Sequence, residues 1–427
     1  MNGTARRGEA AEAAEVPRHG RMPRHGALAT FLKVAASVVA VLAVSAAGVA
    51  AWAAIDLVAS VKPTLELEPE REAMLDDVPD IGAMEGGLFF LLVGSDKRPE
   101  SGAFGDPEEE SAELNDVTML LHISQDHSHV EVVSFPRDML VSVPECTNPE
   151  DPEGEKLSSM SEVKLNTVLS HGGFGCVGAT IEQLTGVQIP VGGIVQFDGV
   201  AALSTAVGGV EVCLAERVDD DYSGLHLDAG THSISGYEAL AFLRSRHGVG
   251  DGSDLGRISN QQTFLASLMR TVQHGGVLGD PVKLYSIAKA VTSNMQLTSA
   301  LQDPVKLMSI AKALQDIDLT KIAFVQYPTA YTEGFAAVVP TESAEAVNLA
   351  LQADVPVSLD PAATTDASFG TVPDPAAPPP AEPPVEGEPV ETPPEGTAPP
   401  GAPTTTLPGD VTGQTAADVR CSSANVG

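Results

Sequence analysis

The chain has 427 residues, enough for one large domain or two ordinary ones, and carries 58 Asp plus Glu against 24 Lys plus Arg, a formal charge of −34. So acidic a balance argues against nucleic acid, because gripping a polyanion needs a basic face. It leaves room for a small anionic ligand wherever arginines gather locally.

Residues 1–33 are polar and hold Arg6, Arg7, Arg18, Arg21, Arg24 and Lys33 against Glu9, Glu12 and Glu15. They precede VAASVVAVLAVSAAGVAAWAAI, an uncharged run over 34–55 long enough to cross a bilayer as a helix. The basic flank predicts a cytoplasmic N-terminus and an extracellular remainder. A cleaved signal peptide is the alternative, but the charged segment before the run is long for one, which favours an uncleaved anchor. Residues 56–85 read as a charged extracellular stalk.

A covered α/β domain is expected over 86–352, with a central sheet flanked by helices. GGLFFLLVGSD (86–96) has the continuous apolar character of a strand buried on both faces. VTMLLHIS and HVEVVSFP follow as strands, joined by a polar turn whose neighbours His122, His127 and His129 suggest a solvated hairpin rather than a metal site. SEVKLNTVLSHGG and CVGATIEQLTG read as helices ended by glycine. Strands are expected at VQIPVGGIVQF and GVEVCL, with a short helix near 198–206 between them. Ser235 and Glu238 have the spacing of a capping box for a helix ending near Arg244. Further helices are expected at 258–273, 281–292 and 303–315, the last two opened by the near-repeat PVKLYSIAKA and PVKLMSIAKA, and then a strand at KIAFVQYP. Residues 353–427 contain no Lys or Arg before Arg420, and 14 of the 32 prolines fall within 371–408, so an extended, acidic, disordered tail is expected there. In an oxidising compartment the four cysteines become disulfide candidates, with Cys146–Cys176 the favoured pair.

Polar chemistry concentrates where these elements end. Asp96 and Arg98 follow the first strand, and Asp116 opens the second. Arg137 follows the third, behind Pro136. LRSRHGVGDGSDLGRISNQQ (243–262) adds Arg244 and Arg246, which only an extended segment could aim together, and Asp254, Arg257 and Gln261, which share one helix face. Arginine forks suit oxyanions, and carboxylates beside them suit a hard cation such as Mg²⁺ between protein and phosphate oxygens. The same residues could equally form Asp–Arg salt bridges that staple loops.

FLLVGSDKR, NDVTMLLHIS, VVSFPRDML, KLNTVLSHGG, GGVEVCL and the 243–262 stretch together resemble, in order and spacing, the LytR-CpsA-Psr family over about 85–275. The resemblance implies a membrane-anchored phosphotransferase of Gram-positive envelopes. Such an enzyme moves a glycopolymer from an undecaprenyl-pyrophosphate carrier to peptidoglycan with Mg²⁺. It implies that Asp96 and Asp116 bind the metal and that Arg98, Arg137, Arg244, Arg246 and Arg257 clamp the pyrophosphate. Gln261 would support these arginines and Asp254 would orient them. Basic residues usual in the family are replaced at Leu114-Asn115 and at Asn260. A wall-polymer scaffold without activity and a polyprenyl-pyrophosphate hydrolase are the alternatives.

Overall fold

The computed structural model describes residues 26–67, 71, 74, 86–97, 113–250, 252–277, 280–360, 370–374 and 404–425. The chain divides into two units, Met1–Ile55 and Asp56–Gly427. Helix α1 (Ala27–Ala59) fills the described part of the first and is long and apolar enough to cross a membrane.

The second unit is mixed α/β. Its two principal sheets are built from β1 (Leu88–Ser95), β2 (Asn115–Ile123), β3 (Val130–Phe135), β4 (Val191–Val195), β5 (Val210–Leu214), β6 (Gly230–Ile234), β7 (Met295–Leu297), β8 (Ile322–Gln326), β9 (Thr371–Pro373), β10 (Gly413–Thr415) and β11 (Arg420–Ser422), beside smaller two-stranded ones. The helices of this unit are α2 (Val168–Thr185), α3 (Phe197–Ala206), α4 (Gly236–Arg244), α5 (Asp254–His274), α6 (Pro281–Asn294), α7 (Pro304–Gln315) and α8 (Ala344–Gln352). The larger sheet runs β7-β4-β1-β2-β3-β8-β10, with β1–β4 and β3–β8 parallel and the other pairs antiparallel. The smaller runs β6-β5-β11-β9.

β1 shows why the larger sheet must be covered twice. Phe89, Leu91 and Val93 point into one core with Val177 and Ile181 of α2 and Val347 and Leu351 of α8. Leu88, Phe90 and Leu92 point the other way, towards Ala266 of α5 and Leu307 and Ile310 of α7. A strand alternates its side chains, so a continuous apolar run needs helices on both faces. Full burial of one such leucine stabilises by roughly 1.5–3 kcal/mol. Helix α5 lies between the sheets, because its Phe264 also packs with Phe242 of α4 and Val212 of β5 in a third core.

Several expectations need correction. Residues 56–85 are not simply a stalk: Leu65 and Leu67 belong to the core, Leu65 N donates to Leu297 O at 3.0 Å, and Lys289 Nζ pairs with Asp56 at 2.7 Å. Ser161 to Lys164, the start of the expected helix SEVKLNTVLSHGG, instead belong to a strand (Met160–Lys164) paired with Leu140–Val143, before α2 begins. Ser235 stands at the N-cap of α4 without a side-chain cap bond, and the Gly236 N–H goes to Ser204 Oγ at 3.0 Å instead. His127 does sit in a turn at φ 56°, but His122 and His129 are buried.

The largest correction concerns the C-terminal tail. Residues 375–403, most of the proline-rich stretch, lie outside the described residues. Residues 404–425, by contrast, are part of the fold. β10 closes one edge of the larger sheet, and β11 inserts between β5 and β9. Disulfides join Cys213 to Cys421 and, as favoured from sequence, Cys146 to Cys176.

Candidate active site

The site forms at the ends of β1, β2 and β3, and its key acid sits on an irregularity. Gly94 pairs with Val117 while Ser95 pairs with Asn115, so Asp116 is the extra residue of a β-bulge. A bulge frees one residue from the ladder and re-aims it. Here it releases the Asp116 carbonyl, which accepts from Arg257 Nη2 at 2.6 Å, and turns the carboxylate towards three guanidiniums.

Arg137 Nη1 donates to Asp116 Oδ1 at 2.5 Å. Asp116 Oδ2 lies 3.7 Å from Arg257 Nη1 and 4.0 Å from Arg246 Nη2. The second acid, Asp254, opens α5 behind the N-cap Ser253, whose side chain accepts from Gly256 N. The positive end of the helix favours an anion there. Asp254 accepts the Arg137 backbone N–H at 3.1 Å and forms an ion pair with Arg257 Nη2 at 2.6 Å, and Arg246 Nη2 lies 3.9 Å away. Arg137 is gripped from the other side as well, since Asn166 N donates to its carbonyl at 3.0 Å.

Burial works against the charged form of Asp116, but the Arg257, Arg137 and Arg246 guanidiniums outweigh it and hold the carboxyl below its usual range. Arg246 is pushed down to about 10 by burial and by repulsion from Arg257 and Arg137, against the attraction of Asp254 and Asp116. The cluster therefore has positive charge to spare, and a bound anion would relieve it.

Arg244, the last residue of α4, stacks its guanidinium 4.5 Å above the Phe197 ring. Ser245 then turns the chain so that Arg244 and Arg246 both line one cavity of about 330 Å³. Its rim carries Arg137, Arg244, Arg246 and Arg257 with Asp116, and its wall is Leu92, Val117, Met119, Val195, Phe197, Val200, Leu240, Leu243 and Leu265. Gln261 also lines it and donates to Leu243 O at 3.2 Å, bracing the end of α4.

Asp116, Arg137, Arg244, Arg246, Asp254, Arg257 and Gln261 are thus brought together. Arg98 lies outside the described residues. Asp96 follows β1 opposite Leu114, whose N–H it accepts at 2.8 Å, and is not among the cavity-lining residues. The two replaced basic positions are structural here. Asn115 is buried, receiving Leu169 N and donating to Thr118. Asn260, on α5, is buried between Phe242 O, to which it donates at 2.7 Å, and the Ser422 hydroxyl of β11.

Two supporting residues escaped the sequence reading. Phe197 is one. Asp220 is the other: it accepts from the buried Ser245 hydroxyl at 2.6 Å and from Gly248 N at 3.3 Å, fixing the turn that aims Arg244 and Arg246. Three successive aspartates, 219–221, before a glycine-containing turn were the only signal available.

The donor chemistry of Asp96 and Asp116 fits a hard cation. Asp96 directly follows β1 and Asp116 sits at the start of the neighbouring β2, and carboxylate oxygens are the donors such an ion takes.

The cell wall biosynthesis protein LcpA of Corynebacterium glutamicum is 33% identical over 239 residues, covering 51% of this chain and 46% of that protein. The polyisoprenyl-teichoic acid–peptidoglycan teichoic acid transferase TagT of Bacillus subtilis is 24% identical over 250 residues, covering 57% and 70%. The chain spans about half the length of LcpA. A solved LytR-Csp2A-Psr enzyme from Actinomyces oris superposes with a TM-score of 0.47 at 23% identity, covering 64% of this chain and 92% of that one. The LytR_cpsA_psr family model matches residues 59–352, well over half of the sequence, and the chain belongs to that family.

Proposed function

We propose that this protein is a membrane-anchored transferase that moves a glycopolymer from an undecaprenyl-pyrophosphate carrier to peptidoglycan, with its catalytic domain outside the cell. The observation that carries the reading is the cavity itself, an apolar chamber with four guanidiniums at its rim. Such a site suits an amphiphile with a hydrocarbon tail and a diphosphate head. The name of TagT, which describes transfer of teichoic acid from a polyisoprenyl carrier to peptidoglycan, agrees with it.

In this reading the rim arginines bind the diphosphate oxygens and orient the sugar-linked phosphorus towards the acceptor. Preorganised positive charge of this kind stabilises a phosphoryl transition state without reorganising during reaction. A peptidoglycan hydroxyl forms the new P–O bond, the P–O–P bond breaks, and the polyprenyl phosphate leaves with the displaced proton. Asp254 holds Arg137 and Arg257 in register, and Asp116 holds Arg137. Asp96 and Asp116 would hold Mg²⁺, which when bound neutralises diphosphate charge.

The test is transfer of a labelled polyprenyl-pyrophosphate glycan to peptidoglycan by the full-length chain in detergent with Mg²⁺. Product that depends on Arg246 supports the reading. Phosphate release without attachment of glycan would replace it with a hydrolase, and absence of both reactions in a folded wild type would refute catalysis.

A further inference from the structure

At the opposite end of β2 and β3 from the arginines, two histidines and a glutamate are buried against one another. His122 and Glu131 are direct cross-strand partners. His122 Nδ1 lies 2.9 Å from Glu131 Oε2, and His129 Nδ1 lies 2.9 and 3.0 Å from the two oxygens of the same carboxylate. One ligand atom from each residue falls within 4.8 Å of the others. The other ring nitrogen of His122 faces outward, 3.2 Å from Asp354 Oδ1 and 3.3 Å from Gly86 O. Phe89 stacks on the imidazole with ring centroids 4.5 Å apart, closing the cluster with an apolar wall.

We infer that His122 Nδ1, His129 Nδ1 and the Glu131 carboxylate form a structural site for a late first-row divalent cation of the Zn²⁺ class. Nitrogen and carboxylate donors are what such ions select. Around a tetrahedral ion with bonds of about 2.0–2.1 Å, ligand atoms stand about 3.3–3.4 Å apart, so the present contacts need open by only about 0.4 Å. A histidine that binds metal through one nitrogen characteristically donates its other N–H to a carboxylate or carbonyl, and Asp354 and Gly86 occupy that place behind His122.

Charge supports the same assignment. Among the described residues Glu131 and Asp354 make ion pairs only with these histidines, so two carboxylates meet here with no Lys or Arg. Buried carboxylates need compensation, and either one divalent cation or two extra protons supplies it. The ion would tie the β2–β3 hairpin to the 353–358 segment, where Val357 N donates to Glu131 and Gln125 N donates to Asp354.

The inference is independent of the proposed transfer reaction, and so is its test. Full-length chain in detergent, stripped with chelator and returned to excess Mg²⁺, is titrated with Zn²⁺, followed by calorimetry and metal analysis, and separately with Co²⁺, followed by visible absorption. One equivalent should bind, Co²⁺ should give the bands of a four-coordinate nitrogen–oxygen site, and Glu131→Gln should abolish both. Asp354→Asn keeps all three ligands and should weaken binding by about 10–100-fold. Asp116→Asn should leave the stoichiometry unchanged. Absence of binding by a folded wild type would show that protons balance the cluster and overturn the site. So would binding that survives Glu131→Gln but not Asp116→Asn, which would place the ion in the arginine pocket.

Discussion

Strands β2 and β3 carry Asp116 and Arg137 at one end and His122 and Glu131 at the other, six residues or about 20 Å away along β2. The two ends begin from similar ingredients, since each places carboxylates beside nitrogen-bearing side chains. They differ in surplus. The arginine end sets three guanidiniums around Asp116 and Asp254, adds Arg244 on Phe197, and lines a cavity with all four. The histidine end sets two imidazoles against Glu131 and Asp354 and closes beneath Phe89. An excess of fixed positive charge at an open mouth favours an exchangeable anion. A balanced or anionic cluster in a closed pocket favours a permanent partner. The comparison therefore assigns chemistry to one end and stapling to the other.

The sharpest way to break that division is to change one residue at each end. Arg246→Ala should lower transfer by about 10²–10³-fold, the scale of losing a preorganised donor, while the melting temperature moves little because its contacts to Asp116 and Asp254 are long. Glu131→Gln should do the reverse, lowering the melting temperature with kcat preserved. If either variant shows the other's signature, the ends do not divide labour.

Replacing Cys213 and Cys421 together by serine should cost about 2–5 kcal/mol in denaturant unfolding, the usual effect of losing a native disulfide. This tests the link between β11 and the arginine end, because Ser422 beside that bond holds Asn260 on α5. Unchanged stability would mean the C-terminal strands lie outside the cooperative unit.

Asp220→Asn should reduce transfer about tenfold, mainly through KM, because a loosened Ser245 turn misplaces Arg244 and Arg246. Burial alone would raise the Asp220 carboxyl, but hydrogen bonds from Ser245, Ser223 and Tyr222 hold it below its ordinary value of 3.8. A depressed folded-state value means that the stabilisation is complete above the ordinary value and lost as pH falls through the folded one. Stability from this carboxylate should thus be flat between pH 7 and 5 and fall below about 4, a dependence that Asp220→Asn should remove. The smallest effect is expected from Phe197→Ala, which deletes the cation–π contact beneath Arg244 and should weaken binding of a diphosphate ligand by about 0.5–2 kcal/mol.

Much of this is legible in the sequence. The double-faced apolar run of β1 announced a covered sheet, and arginines at strand and helix ends marked the site. What escaped has physical causes. Helix α5 buries Ser259, Asn260, Gln261, Gln262 and Thr263 because it lies between two sheets, so hydropathy could not show how deeply it is enclosed. The bulge at Asp116 is a property of register, which only pairing reveals. His122 and His129 read as a solvated turn because their partners, Glu131 across the ladder and Asp354 far along the chain, are set by tertiary structure. The final strands were obscured by the prolines before them. GQT and RCS are too short and too polar to stand out, and they fold because β8 and β5 offer them open edges.

That late return of the chain sets a schedule for biogenesis. Cys421 lies 208 residues beyond its partner, and β11 fills a position inside the smaller sheet rather than on its rim. Until residues 413–422 are in place, β5 has an unpaired edge and α5 lacks the Ser422 contact that holds Asn260. The arginine-bearing helix is fully braced only once these strands have paired, so the pocket should gain competence late in folding, after a long-range closure.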